Sequence, residues 1–81
     1  MAGSKSLAKT QEEIRAALGR KVRDLRRSLE LTQADLASKA GIRRASVIEI
    51  ERGGANPTLD TIVRIAIALH VNASELLVHD R

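Results

Sequence analysis

At 81 residues the chain has room for one compact domain and none for a second core of useful size. A composition of 43% hydrophobic and 30% charged residues with one proline is that of a globular chain, and the absence of cysteine excludes a disulfide framework, a thiolate zinc site and thiol redox chemistry. Fourteen Lys and Arg against ten Asp and Glu leave a formal charge of +4, which favours a polyanionic partner; with no Phe, Trp or Tyr to stack unpaired bases, double-stranded DNA fits better than RNA or a single strand.

Residues 1–10 are small, polar and basic without a period and read as a flexible tail, in which Lys5 and Lys9 would add nonspecific affinity for a polyanion. The remainder, 11–81, reads as the folded domain. Thr10 followed by Glu13 matches a capping box, and Ile14, Leu18, Val22, Leu25 and Leu29 recur at spacings of three and four, predicting an amphipathic helix over 11–30 that Gly19 weakens slightly. Thr32 caps a second helix over 33–40 that buries Leu36, Ala37 and Ala40 and stops at Gly41. Val47 and Ile50 give the inward face of a third helix over 43–52, closed by Gly53 and Gly54. Asn56-Pro57 marks a loop, Thr58 caps a fourth helix over about 59–69, and Asn72 with Glu75 caps a short fifth. No segment alternates with period two, so the expected fold class is all-α, a compact five-helix domain.

The apolar run 65–69 is far too short to span a bilayer and no signal-peptide stretch opens the chain, so the expected address is cytoplasmic, at the nucleoid, with no membrane partner. No nucleophile motif, phosphate-cradling glycine loop or metal-ligand cluster is present, so no catalytic residue, metal or cofactor is expected; His70 and His79 read as surface residues.

The informative constellation lies within 33–52. Two short helices that cross steeply need a small residue at the contact, a residue tolerant of left-handed geometry at the turn, and apolar anchors on the second helix. Ala37 supplies the first, Gly41 the second, and Ile42, Val47 and Ile50 the third. Leu31-Thr32-Gln33-Ala34-Asp35-Leu36-Ala37, Ala40-Gly41-Ile42, Ile50-Glu51-Arg52-Gly53 and Asn56-Pro57-Thr58-Leu59 resemble the phage repressor and Cro type helix-turn-helix family, the XRE class, over about 22–77. The resemblance implies a lambda-repressor-like domain that binds operator DNA as a homodimer, with the third helix in the major groove.

If Val47 and Ile50 point inward, Arg44, Ala45, Ile48, Glu49 and Arg52 lie on or beside the face that meets DNA. Arg44 suits guanine O6 and N7, or else a phosphate or solvent; Glu49 suits cytosine N4, or else an ion pair with Arg52 or Arg44; Ala45 and Ile48 suit thymine methyl groups, or stand idle. Arg43 replaces the small capping hydroxyl common in relatives, losing a cap and offering a base or phosphate contact. Gln33 opens the second helix, where relatives contact a phosphate, and Ser46, Arg52, Asn56 and Thr58 are further phosphate candidates. By resemblance, Arg26 and Glu51 form a buried ion pair bracing the first helix against the third. Val63, Ile67, Leu76, Leu77 and Val78 suit a twofold dimer contact, with packing of Ile67 onto Ile14 and Leu18 inside one subunit as the alternative. His70 stands where relatives often end a helix with glycine. The expected function is a homodimeric transcriptional regulator, and no enzyme; phage-type repressor, antitoxin and restriction-modification controller all fit. The alternative is a protein-interaction adaptor whose fourth and fifth helices bind a partner such as a toxin.

Overall fold

The computed structural model describes residues 6–78, and Lys5 and His79 lie outside them. Five helices follow one another: α1 (Leu7–Ser28), α2 (Gln33–Ala40), α3 (Arg44–Glu51), α4 (Leu59–Ala68) and α5 (Ala73–Leu76), with no strand among the described residues. The fold class is the expected one. The start of α1 is not: Ser6, not Thr10, is the cap, its Oγ accepting the Lys9 backbone N–H at 3.1 Å, so 7–10 of the expected tail are helical. A Ser cap with Ala8, Lys9 and Gln11 downstream is locally sound helix chemistry, although this first turn lacks the apolar period that marks the rest.

The other starts follow their capping residues. Thr32 Oγ1 accepts the Asp35 N–H at 3.0 Å while the Asp35 carboxylate accepts the Thr32 N–H at 2.9 Å, a complete capping box. These bonds, the backbone one foremost, hold the Asp35 carboxyl below the usual carboxylate range. Thr58 Oγ1 accepts the Thr61 N–H at 3.1 Å, and Glu75 accepts the Asn72 N–H at 2.9 Å. Arg43, at the cap of α3, makes no side-chain cap bond.

The first four helices end alike. In each, an N–H reaches back across a left-handed residue to a carbonyl five positions earlier: Leu31 to Arg26 at 3.1 Å, Ile42 to Ala37 at 3.0 Å, Gly54 to Glu49 at 3.1 Å and Val71 to Ala66 at 3.0 Å. The left-handed residues are Glu30 (φ 59), Gly41 (φ 70), Gly53 (φ 79) and His70 (φ 62). The expectation that α1 runs through Glu30 is thereby corrected: a good helix former sits in the conformation that stops the helix. Leu29, expected on the inner stripe, is 41% exposed as a result.

Leu18 and Val22 of α1, Leu36, Ala37 and Ala40 of α2, Val47 and Ile50 of α3, Ile62, Ile65, Ala66 and Ala68 of α4, Leu69, and Leu76 of α5 form one buried cluster. Each large aliphatic taken out of water contributes about 1.5–3 kcal/mol before chain entropy is charged against it. Two features fix how the helices sit against one another. Gly19 is buried where α1 crosses its end: a Cβ there would lie 2.5 Å from the Ile50 carbonyl oxygen and 2.9 Å from that of Glu51. On the far side, the Asp60 carboxylate accepts Arg64 Nε at 2.8 Å, and Arg64 Nη1 donates at 3.5 Å to the Ala40 carbonyl, tying α4 to the end of α2.

Candidate nucleic-acid interface

Because Val47 and Ile50 are 0% and 2% exposed, the opposite side of α3 is presented to solvent. Arg43, Arg44, Ala45 and Glu49 are exposed, Ile48 is half-buried, and Arg52 follows at the helix end, exposed. The Glu49 carboxylate lies 3.5 Å from Arg52 Nη1, so of its two expected roles the structure holds it in the ion pair; both groups are largely in water and the pair is weak.

Beside this face runs an open groove of about 400 Å³ between α3 and the segment before α4, lined by Arg43, Ala45, Ser46, Glu49, Asn56, Pro57 and Thr58 among others. It gathers three of the expected phosphate ligands into one wall. Ser46 is half-buried and Asn56 exposed. The Thr58 hydroxyl is already committed: besides accepting from Thr61 N–H it donates to Thr61 Oγ1 at 3.1 Å.

On the other flank Arg26 and Glu51 meet in a bidentate ion pair, Nε to Oε2 at 2.6 Å and Nη2 to Oε1 at 2.9 Å, with 10% and 5% of the side chains exposed. Arg26 Nη1 also donates to the Leu31 carbonyl at 2.8 Å, closing the α1–α2 loop. Gln33, expected to reach for a phosphate with its amide, instead donates Nε2 to Glu51 Oε1 at 3.1 Å, so three helices join at one carboxylate. Burial alone would raise the Glu51 pKa; the bonds from Arg26 and Gln33 and the charges of Arg26 and Arg23 outweigh it, and the carboxyl lies below the ordinary range. The bond to Glu51 lifts Arg26 further above its already high value, so the pair is ionised at any physiological pH.

The residues expected at a dimer contact separate. Leu76 is 0% exposed, a core residue, and is withdrawn: the short fifth helix points it into the domain. Val63, Ile67, Leu77 and Val78 are 38%, 70%, 39% and 66% exposed, and the exposure of Ile67 removes the alternative that it packs within the subunit. Leu59, 70% exposed, extends the stripe along α4 with Val63 and Ile67 at every fourth position. Sequence reasoning had treated Leu59 only as the start of α4; the spacing of four was the available signal.

Two short helices at a glycine turn, the second braced from behind and bare in front with three arginines at its ends, define a helix-turn-helix protein. The chain belongs to the helix-turn-helix family, whose model matches residues 22–76, and is by that membership a DNA-binding transcription regulator rather than an enzyme. Control protein C.BamHI of Bacillus amyloliquefaciens is 40% identical over 65 residues, 79% of this chain and 80% of that protein. The immunity repressor protein of Bacillus phage phi105 is 35% identical over 60 residues, 74% of this chain and only 42% of that repressor. Among solved structures, the restriction-modification controller protein C.AhdI from Aeromonas hydrophila superposes with a TM-score of 0.74 at 35% identity, over 76% of this chain and 94% of that one. No helix among the described residues is long and apolar enough to cross a membrane.

Proposed function

We propose that the protein is a homodimeric repressor of an inverted-repeat operator, acting at the nucleoid in the cytoplasm. Two copies of α3 enter successive major grooves about 34 Å apart and exclude polymerase from the site. The observation that carries this reading is the division of α3: its apolar residues are spent on the core, while Arg43, Arg44, Ala45, Ile48 and Glu49 remain for base edges. In this reading Arg44 donates two hydrogen bonds to guanine, and Ser46, Arg52, Asn56 and the backbone around Gln33 and Thr58 fix the phosphates. The likeness in sequence and extent to control protein C.BamHI and controller protein C.AhdI favours a regulator of this kind, and the operator is placed, as part of the proposal, beside the protein's own gene.

The test is a binding titration at roughly physiological salt with duplex from immediately upstream of that gene against a scrambled duplex of equal length. A preference of about a thousandfold is expected. Arg44→Ala should cost about 1–3 kcal/mol against the wild-type site and relax preference at a single base pair. Equal, weak binding of the wild-type protein to both duplexes would refute the self-regulating operator.

The twofold contact is assigned to the stripe Leu59, Val63 and Ile67 with Leu77 and Val78, which the other described residues leave exposed. Light scattering should report a dimer for the wild type and a monomer for Ile67→Glu with unchanged helicity. A wild-type chain that stays monomeric at every concentration would instead give the stripe to a partner of another sequence, the adaptor reading.

A further inference from the structure

The flank of α3 facing α1 carries a second open groove of about 400 Å³, lined by Arg23, Arg26, Arg27, Gln33, Ile48, Glu51 and Arg52. Four arginines face it against one carboxylate, and that carboxylate is taken up by Arg26 in the floor. Arg23 and Arg27 lie four residues apart on α1 and therefore on one face of it, where like charges repel. The Arg23 side chain is 38% exposed, but its Nε is buried and has no hydrogen-bond acceptor among the described residues; Asp24 Oδ1 stands 3.8 Å away, beyond bonding distance. A buried donor without an acceptor is costly, and in a native structure it is met by water or by a ligand.

We infer that this groove seats a backbone phosphate of the bound duplex, held by Arg23 and Arg27 from α1 and by Arg52 from the end of α3. The inference rests on the DNA-binding reading above and deepens it, because α1 had no part in that reading. Three observations fix the ligand as an anionic diester at the DNA surface. The lining is cationic; the groove shares Ile48 and Arg52 with the face of α3 that meets bases; and it opens at Gln33, the first residue of α2, whose free N–H groups favour an anion. Since the Gln33 amide is engaged by Glu51, the side-chain donors to this phosphate come from α1 and from Arg52 instead. A guanidinium offers a fork that matches two phosphate oxygens, and Arg23 Nε is a donor that no described residue of the chain engages.

The test compares wild type, Arg23→Gln, Arg27→Gln and Arg23→Lys on the upstream and scrambled duplexes over a range of salt. Each guanidinium that seats a phosphate should reduce the slope of log K against log salt by about 0.9. Loss of its charged hydrogen bonds should weaken binding roughly tenfold, equally on both duplexes. Arg23→Lys should keep the slope and recover only part of the affinity, because the charge is retained and the Nε donor lost. An unchanged slope and affinity in both glutamine variants, with helicity intact, would overturn the inference while leaving the DNA-binding reading standing. A wild-type chain that binds neither duplex would remove that reading itself. Arg27 is exposed, so its variant keeps the test decisive if Arg23→Gln disturbs α1.

Discussion

Replacing Arg26 with alanine should destabilise the domain by about 3–5 kcal/mol, a large share of the stability of a chain of this size. The substitution strands the Glu51 carboxylate, 5% exposed, without the two bonds at 2.6 and 2.9 Å that balance its desolvation. It also frees the Leu31 carbonyl, which Arg26 holds at 2.8 Å, and so loosens the α1–α2 loop. Replacing both partners with apolar residues of similar volume should cost far less, since the pair's net worth is small once neither charge is buried alone. Urea unfolding of the two single variants and the double variant gives the coupling directly, and single variants as stable as wild type would contradict the brace. The same pair sets an acid limit. Glu51 has a folded pKa below its unfolded value, so its contribution is complete above about pH 4.3, the ordinary glutamate value, and is lost as pH falls through the lower folded value. Wild-type stability should therefore decline on acidification below that point, and Glu51→Gln should show a flatter acid limb from a lower plateau.

Gly19→Ala is the second substitution with a large expected effect. In an exposed helix interior the change would be stabilising, because alanine is the better helix former by about 1 kcal/mol. Here the added carbon meets the Ile50 and Glu51 carbonyl oxygens at 2.5 and 2.9 Å, and backbone does not move aside as a flexible side chain does. The helices must separate, with a net loss of about 1–3 kcal/mol or somewhat more. Because the displaced residues are the last turn of α3, operator affinity should fall beyond what the lost stability explains. A thermal melt at or above the wild-type midpoint would show that α1 and α3 do not meet at this glycine.

The comparison of these two residues shows what a sequence exposes. Arg26 and Glu51 were visible as a pair through family resemblance, and the capping residues Thr32 and Thr58 through local chemistry that acts within three residues. Gly19 looked like a mild flaw in a helix, because its reason lies thirty residues away in α3 and leaves no periodic trace. Glu30 was read as helix for a similar cause: propensity favours it, yet the 6→1 bond from Leu31 to Arg26 and the Arg26 side chain decide. At the interface, the outward residues of α3 followed from the inward ones by helical geometry alone. The commitment of the Gln33 amide to Glu51, the burial of Leu76 and the clustering of Arg23 with Arg27 and Arg52 depend on how three helices pack, which spacing along one helix cannot carry.

The bracing of α3 from behind has one more consequence. Val47, Ile50 and the Glu51 carboxylate, which fix this eight-residue helix in place, are turned inward, while Arg43, Arg44, Ala45 and Glu49 are exposed and Ile48 is half-buried. Arg44, Ala45, Ile48 and Glu49 lie outside the buried cluster, so on the proposed reading exchanging them should alter which sequence is read with little effect on folding. On that reading one scaffold can carry different operator preferences by exchange of these few side chains, with the groups that hold it together left unchanged.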